Sequence, residues 1–209
     1  MSLTTPTVVV VDDDVSIREA LELLIQDQGW KPLLCESAQE FLDRLPGIIP
    51  SCVVLDVNLP DLSGLDIQQR ISVDRSSTPI IFITGYGDIP TSVRAMKAGA
   101  AEFLTKPLDD ATVVQAIREA VLCSEANLKR EGVQQQLQER FDSLTRRERE
   151  VMTLVVRGLM NKQIGFELGI NEITVKAHRG KAMEKMCAAT IVDLVNMARR
   201  LGINTGGEV

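Results

Sequence analysis

The sequence predicts an α/β domain followed by an all-α domain. Over about the first 120 residues, short apolar runs rich in β-branched side chains alternate with helical patterns. Five such units predict a five-stranded doubly wound parallel sheet with right-handed crossovers and strand order 2-1-3-4-5. The rest of the chain shows helical patterns alone, which predict a long linker helix and then a four-helix domain with a helix-turn-helix. The expected boundaries are 1–124, 125–141 and 142–209.

The predicted strands are too short and too β-branched to be helices. They span 7–11, 31–35, 52–56, 79–84 and 101–105. The helices between them span 15–28, 38–45, 64–72 and 89–98, and a fifth begins near Asp109. Gly29 ends the first helix, and Ser37 with Glu40 forms a capping box for the second. One helix therefore follows every strand, as parallel pairing requires.

The helical pattern does not end where a compact α/β domain would end. Apolar side chains keep one face from Val113 to Leu128, and the spacing resumes after a skip from Val133 to Leu144. The segment 131–138 is polar and rich in glutamine, and Gly132 weakens a helix by about 1 kcal/mol relative to Ala. A flexible linker and an extended helix are both compatible with this composition. We favour the helix, because a coil would not need a persistent apolar stripe.

The last part of the chain predicts four helices. Their expected spans are 146–157, 162–168, 172–186 and 190–201. Thr145 and Asn171 are suited to cap the first and the third, and Gly158 and Gly169 end the first and the second. Because the second and third helices are short and joined by a Gly-containing turn, they predict a helix-turn-helix.

Charge is unevenly distributed along the chain. The formal net charge is -6, but residues 1–124 carry 9 Lys and Arg against 18 Asp and Glu, whereas residues 125–209 carry 14 against 11. A mildly basic second half indicates a nucleic-acid partner for that half only. The four cysteines are scattered without a C-x-x-C pair, which favours reduced thiols in a reducing cytosol. No apolar stretch approaches the roughly 20 residues that span a bilayer, so we expect a cytoplasmic protein without a membrane partner.

Polar residues lie at the ends of four of the predicted strands or directly after them. They are Asp12 and Asp13, Asp56, Thr84, and Lys106. In a parallel sheet of this order they meet at the carboxyl edge, where α/β folds place their sites. Carboxylates, a hydroxyl and a lysine together indicate a phosphoryl group, a hard divalent cation such as Mg²⁺, or both. Asp56 on the middle strand would then be a nucleophile able to form an aspartyl-phosphate.

Other interpretations of these residues explain less. Aspartates at strand ends can cap helices, and Asp14 fits that role, but capping does not account for the complete set. A phosphatase with an aspartyl intermediate would use the same nucleophile, but it usually carries a second carboxylate two residues later, where this chain has Asn58. The first half has no glycine-rich nucleotide motif and no histidine, since the one histidine is His178. We therefore expect a protein that is not an enzyme.

Four motifs of the first half resemble the receiver domain of two-component response regulators. They are V-D-D-D at 11–14, L-D-V-N-L-P at 55–60, I-T-G at 83–85 and E-F-L-T-K-P at 102–107. The resemblance covers roughly the first 120 residues and implies Asp56 as the phosphoacceptor. The Mg²⁺ ligands that it implies are Asp12, Asp13, Asp56 and the backbone carbonyl of Asn58. The other implied site residues are Thr84 and Phe103 as a switch pair, Lys106 as the phosphate contact with a cis bond to Pro107, and Tyr86 as an alternative moving aromatic.

The third helix of the last domain predicts a surface for DNA. Val175, Ala182 and Met186 fall on one side and face the core. The opposite side carries the small residues Ala177 and Gly180, which would let the helix approach base edges, and lysines that reach phosphates or guanine. A solvated charged face is the alternative. Near the core side, His178 is expected to pack, and Arg179 to pair with Glu148 or Glu150.

Residues 144–202 resemble the LuxR-type helix-turn-helix. The motifs are L-T-R-R-E-R-E-V, N-K-Q-I-G-F-E-L-G-I and T-V-K-A-H-R, and together with the receiver they resemble the FixJ/NarL group. The DNA contacts predicted for this chain are Asn161, Lys162, Thr174, Lys176, Ala177, Lys181 and Lys185. The resemblance also implies that the last helix, 190–201, is a dimerisation helix, which would demand paired half-sites.

These observations predict a response regulator that activates transcription. A sensor histidine kinase would phosphorylate Asp56, and the phosphorylated homodimer would bind double-stranded DNA, with RNA polymerase as a further partner. The alternative is a DNA-binding regulator independent of phosphorylation, in which the receiver serves only as a dimerisation module.

Overall fold

The computed structural model describes residues 5–74, 78–85 and 89–203. The chain divides into two compact units, residues 1–128 and 129–209. Among the described residues, two apolar clusters lie in the first unit and one in the second.

A five-stranded parallel sheet forms the centre of the first unit. The strands are β1 (Thr7–Val11), β2 (Lys31–Cys35), β3 (Cys52–Asp56), β4 (Ile80–Thr84) and β5 (Glu102–Thr105), in the order β2-β1-β3-β4-β5. This confirms the predicted fold class and strand order. The central strands β1, β3 and β4 are almost wholly buried, as expected of β-branched runs covered on both faces.

Helices cover both faces of this sheet. They are α1 (Val15–Asp27), α2 (Ala38–Arg44), α3 (Gly64–Asp74), α4 (Ile89–Lys97) and α5 (Asp110–Asp142). Phe41, Ile67 and Ala95, from α2, α3 and α4, pack on one face. Leu21 of α1 and Ile117 of α5 pack on the other. The arrangement is the doubly wound layering that alternating units require.

Local chemistry sets the ends of these helices. The side chain of Asp14 accepts from the backbone N–H of Ser16 at the start of α1, as predicted. Ser37 caps α2 in the same way, and the carboxylate of Glu40 accepts from the backbone N–H of Glu36. Helix α2 ends one residue earlier than predicted and passes into a single 3₁₀ turn, Leu45–Gly47, because Pro46 has no N–H for the α-helical ladder.

Helix α5 is continuous over 33 residues, which confirms the predicted extended helix over the flexible linker. Gly132 lies inside it, exposed and without steric conflict. In the part of α5 that belongs to the second unit, Leu137 is buried in that unit's core.

The second unit is helical, as predicted. Its further helices are α6 (Arg146–Val156), α7 (Asn161–Leu168), α8 (Glu172–Met186) and α9 (Ile191–Arg200). Thr145 and Glu148 form a reciprocal capping box at α6, and Asn171 caps α8. Gly169 ends α7 at φ 67°, a left-handed conformation that favours glycine. None of the helices in the described part of the chain is both long and apolar enough to cross a lipid bilayer.

Candidate functional site

The strand register brings the predicted polar residues to one edge of the sheet. Asp56 is the last residue of β3 and pairs in register with Ile83, and Thr84 ends β4 opposite Thr105. Asp12 follows β1, and Lys106 follows β5. Because all strands run in the same direction, these four positions converge, as the sequence predicts.

The ammonium of Lys106 joins two of the carboxylates. Its Nζ donates to Oδ2 of Asp12 at 2.8 Å and to Oδ2 of Asp56 at 2.6 Å. Both carboxylates are buried, with exposed fractions of 0% and 5%. Lys106 therefore supplies one positive charge to a buried pair that would otherwise repel.

The pKa values reflect this crowding. Burial raises the pKa of Asp12, since the hydrogen bond from Lys106 and the backbone N–H of Asp14 oppose that effect only in part. For Lys106, burial lowers the pKa, but the hydrogen bonds and charges of Asp12 and Asp56 outweigh it, and its pKa is raised. The site thus favours the charged form of Lys106 and disfavours the charged form of Asp12.

A third carboxylate completes an acidic cluster suited to a metal ion. One carboxylate oxygen each of Asp12, Asp13 and Asp56 lie within 4.8 Å of one another, and Asp13 is exposed. Three hard oxygen donors, one of them open to water, match the preference of Mg²⁺ for a few carboxylates with retained waters. The chemistry of this donor set fits the predicted ion.

Arg18, which the sequence analysis missed, supports the same cluster. Its Nη1 donates to the backbone carbonyl oxygen of Asp12 at 2.7 Å. This bond fixes the peptide that leads from Asp12 into Asp13. A usable signal was its place in the first turn of the helix that begins just after the acidic motif.

Asn58 contacts both Asp56 and Thr84, the predicted phosphoacceptor and the predicted switch residue. Its backbone N–H donates to Oδ1 of Asp56 at 2.7 Å. Its side-chain Nδ2 lies 3.2 Å from Oγ1 of Thr84, which is fully buried. The role predicted for the backbone carbonyl of Asn58 stays a prediction.

The segment after β3 folds tightly against Asp56. A Cβ on Gly64 would lie 2.6 Å from the backbone oxygen of Asp56, so only glycine fits at the start of α3. The carboxylate of Asp61, in the same segment, accepts from the backbone N–H groups of Ala38 and Gln39 at the start of α2. These contacts hold the segment that follows Asp56 close to the end of β3 and to the start of α2.

Phe103 lies on β5, next to the strand that carries Thr84. It is half-buried, and its ring centroid lies 6.4 Å from that of Phe82. The ring therefore packs against the core while part of it stays exposed, and its role in a switch stays a prediction. The peptide bond between Lys106 and Pro107 is cis, as predicted. Tyr86, the alternative aromatic, lies outside the described residues.

Helix α8 has the two faces that its sequence predicts. Val175, Ala182 and Met186 are buried, and Ala177, Gly180 and Lys181 are exposed on the other side. Lys176 is also exposed and forms a surface ion pair with Glu172 at 3.3 Å. Among the described residues, Lys162 and Lys181 have no ion pair.

Two of the predicted DNA contacts take part in local hydrogen bonds. The hydroxyl of Thr174 donates to the capping oxygen of Asn171 at 2.9 Å. Asn161 accepts from Nη1 of Arg179 at 3.1 Å, a bond that joins α7 to α8. The predicted pairing of Arg179 with Glu148 or Glu150 is therefore wrong, because Glu150 pairs with Arg146 and Arg147.

Lys185 differs from the other predicted DNA contacts. Its Nζ lies 2.7 Å from Oε2 of Glu148 and 3.1 Å from the carbonyl oxygen of Ser143. Glu148 is only 3% exposed and needs a charged partner. The hydrogen bond from Lys185, followed by that from the backbone N–H of Thr145, lowers the pKa of Glu148. The ammonium of Lys185 is thus bonded within its own domain, which disfavours its predicted role as a DNA contact.

Comparison with known proteins assigns both halves of the chain to families. Residues 8–118 match the response regulator receiver domain, and residues 142–198 match the bacterial regulatory proteins of the luxR family. Nodulation protein W of Bradyrhizobium diazoefficiens is 46% identical over 96% of this chain and 88% of its own length. Transcriptional regulatory protein FixJ of the same organism is 40% identical over 93% of this chain and 95% of its own. The solved structure of the response regulator StyR is 42% identical, covers 94% of this chain and 100% of its own, and has a TM-score of 0.83.

Proposed function

Because the chain belongs to the two-component response regulators with a receiver domain and a LuxR-family DNA-binding domain, we propose that phosphorylation of Asp56 switches its sequence-specific binding to DNA. The observation that carries the proposal is the position of Lys106, whose ammonium lies 2.6 Å from Asp56 and 2.8 Å from Asp12. A buried carboxylate beside a fixed cation and an acidic cluster is the arrangement that a transferable phosphoryl group requires.

The phosphoryl donor is a phosphohistidine of a sensor histidine kinase. A carboxylate oxygen of Asp56 attacks phosphorus, the P–N bond breaks, and its electron pair remains on the histidine nitrogen. Asn58 holds the other oxygen of Asp56 through its backbone N–H, and Lys106 neutralises charge on the phosphoryl oxygens. Asp12, Asp13, Asp56 and the carbonyl of Asn58 would hold Mg²⁺, which supplies further positive charge to the phosphoryl group. The chain accepts the group as a signal and turns over no substrate.

Phosphorylation then changes the surface beside the site. The hydroxyl of Thr84 moves from Asn58 toward a phosphoryl oxygen, and the space that it leaves admits the ring of Phe103. The change reaches α4, whose apolar residues Ile89, Val93 and Met96 are exposed. A second copy of the chain covers such a surface, so that activation produces a homodimer.

The homodimer binds paired half-sites on double-stranded DNA in the cytoplasm. Helix α8 enters the major groove with its exposed side, and α9, whose Val192 is 67% exposed, contributes to dimerisation. The residues proposed to contact DNA are Asn161, Lys162, Thr174, Lys176, Ala177 and Lys181. Transcription is activated through contact with RNA polymerase.

Labelling with acetyl phosphate and Mg²⁺ tests the phosphoacceptor. We expect the wild-type chain to be phosphorylated and Asp56→Asn not to be. Asp27→Asn, an exposed aspartate at the end of α1, serves as the control and keeps full labelling. Labelling that persists in Asp56→Asn would reject the proposal.

DNA footprinting with and without beryllofluoride separates the two modes of regulation. Protection at lower protein concentration with the phosphoryl analogue supports the switch. Equal affinity in both conditions would favour the regulator that is independent of phosphorylation.

A further inference from the structure

Helix α4 has little buried apolar surface in the described part of the chain. Among its described residues only Ala95 is fully buried, whereas the larger apolar side chains of Ile89, Val93 and Met96 are exposed. A single methyl group buries little apolar area. Packing alone therefore stabilises the position of α4 weakly.

Gln68 of α3 supplies polar contacts to the C-terminal end of this helix. Its Nε2 donates to the carbonyl oxygen of Ala98 at 3.2 Å and to that of Ala95 at 3.4 Å. Carbonyls in the last turn of a helix lack the partners that a further turn would give them. The carbonyl oxygen of Ala95 already accepts from the backbone N–H groups of Ala98 and Ala100, so the amide of Gln68 adds a further donor to Ala95 and supplies one to Ala98 from a neighbouring helix.

The surroundings of Gln68 would suit an apolar residue. It is 3% exposed and lies beside Ile67 and Ile71, both part of the core on this face. Its Oε1 has no hydrogen-bond partner among the described residues. A buried polar group in this state disfavours folding, so core packing does not explain a glutamine here. Its bonds to α4 do.

We propose that Gln68 is a positioning residue that fixes the C-terminal end of α4, so that switching displaces mainly the N-terminal end. This inference rests on the proposed function, in which Thr84 moves when Asp56 is phosphorylated. Thr84 ends β4 and Ile89 begins α4 only a few residues later, so the N-terminal end of α4 is the end that lies close to Thr84 in the sequence. With Ala95 and Ala98 held, α4 turns about its last turn and reorients Ile89 and Val93.

Hydrogen exchange in the unphosphorylated full chain tests the holding contact. Gln68→Met removes the amide and nearly keeps the length of the side chain. We expect the backbone N–H groups of residues 98–100 to exchange about tenfold faster, because both bonds to the last turn are lost. Arg70→Met, a change to the same residue type at an exposed position of α3, is the control and leaves this exchange unchanged.

A second measurement separates positioning from mere stability. We expect the ratio of DNA affinities with and without beryllofluoride to fall in Gln68→Met, because a loose α4 adopts the active orientation without the analogue. If Gln68→Met does not fold, Gln68→Leu tests the same point, since a smaller apolar side chain also cannot donate to the carbonyls.

The outcomes distinguish this inference from the proposed function. Exchange and affinity ratio that both match the wild type would overturn the role of Gln68. A wild-type chain whose DNA affinity ignores beryllofluoride would instead reject the proposed function and the switching role together. The exchange result would still decide whether Gln68 holds α4.

Discussion

The side chain of Asn58 donates a hydrogen bond to the hydroxyl of Thr84, across 3.2 Å at the carboxyl edge of the sheet. Asn58 follows the proposed phosphoacceptor by two residues, and Thr84 is the proposed switch hydroxyl. The bond therefore opposes any movement of Thr84 toward a phosphoryl group. Its contribution belongs to the unphosphorylated state.

Removal of this bond should weaken the resting state. We expect Asn58→Ala to raise the DNA affinity of the unphosphorylated chain about 2–10-fold, the range for one net hydrogen bond. The backbone N–H of residue 58 still donates to Asp56, so the phosphoacceptor keeps its position. Fluorescence anisotropy on a DNA fragment selected with phosphorylated protein measures the change. Basal affinity that stays the same or falls would contradict the role of this bond.

Asp12 should make stability depend on pH and Mg²⁺. Its pKa is raised in the folded chain, so its contribution to stability is present below about pH 4 and is lost as the pH rises through the folded pKa. Without metal at pH 7, we expect Asp12→Asn to increase the free energy of unfolding by on the order of 1 kcal/mol. The gain should shrink toward pH 4, and saturating Mg²⁺ should reverse it, because the wild type gains a bound ion.

Urea unfolding of the wild type and of Asp12→Asn at pH 7 and pH 4, each in EDTA and in Mg²⁺, measures these differences in the free energy of unfolding. Asp13→Asn is the control, since Asp13 is exposed and contributes to the metal cluster without the burial. A loss of stability on Asp12→Asn at pH 7 in EDTA would count against the argument.

Lys181 should contribute to DNA affinity mainly through charge. We expect Lys181→Ala to weaken binding to all sequences and to reduce the slope of log K against log salt by about one. Lys185→Met should leave the slope unchanged, because its ammonium is bound to Glu148. Titrations of DNA with each variant at several salt concentrations measure the two slopes. A reduced slope for Lys185→Met would restore Lys185 to the DNA contacts.

The same ion pair should stabilise the DNA-binding domain. We expect Lys185→Met to lower the free energy of unfolding by about 1–3 kcal/mol, because Glu148 keeps its charge and loses its partner. The folded pKa of Glu148 is lowered from 4.5, so the stability from this pair is present above that pH and is lost as the pH falls through the folded pKa. The difference between variant and wild type should therefore narrow in acid.

Lys176→Met provides the comparison for this pair. Its exposed ion pair with Glu172 should contribute less than about 1 kcal/mol. Urea unfolding of the full chain, followed over the transition of the second unit, measures both variants. Equal losses of stability in the two variants would mean that the burial of Glu148 does not strengthen its ion pair with Lys185.

The sequence was sufficient to predict the sheet and to predict which residues of the candidate site lie together. Strand direction and alternation determine that Asp12, Asp56, Thr84 and Lys106 meet, so their convergence follows from the order of the strands. Periodicity also predicted the buried and exposed faces of α8. Periodicity was not sufficient to predict the partners of long flexible side chains. Helical spacing places a residue on one face of the helix but does not determine its rotamer. Lys185 and Arg179 lie near the boundary between the two faces of α8. Their partners, Glu148 and Asn161, belong to other helices and are brought close only by tertiary packing.

The backbone of Asp56 and the first residue of α3 are in such close contact that position 64 admits no side chain. A substitution of Gly64 would remove neither a charge nor a predicted metal ligand, yet it would displace the backbone of Asp56 at the end of β3. Variants that abolish signalling should therefore occur at Gly64 as well as among the acidic residues. A side chain at position 64 would move the carboxylate of Asp56 by moving its backbone.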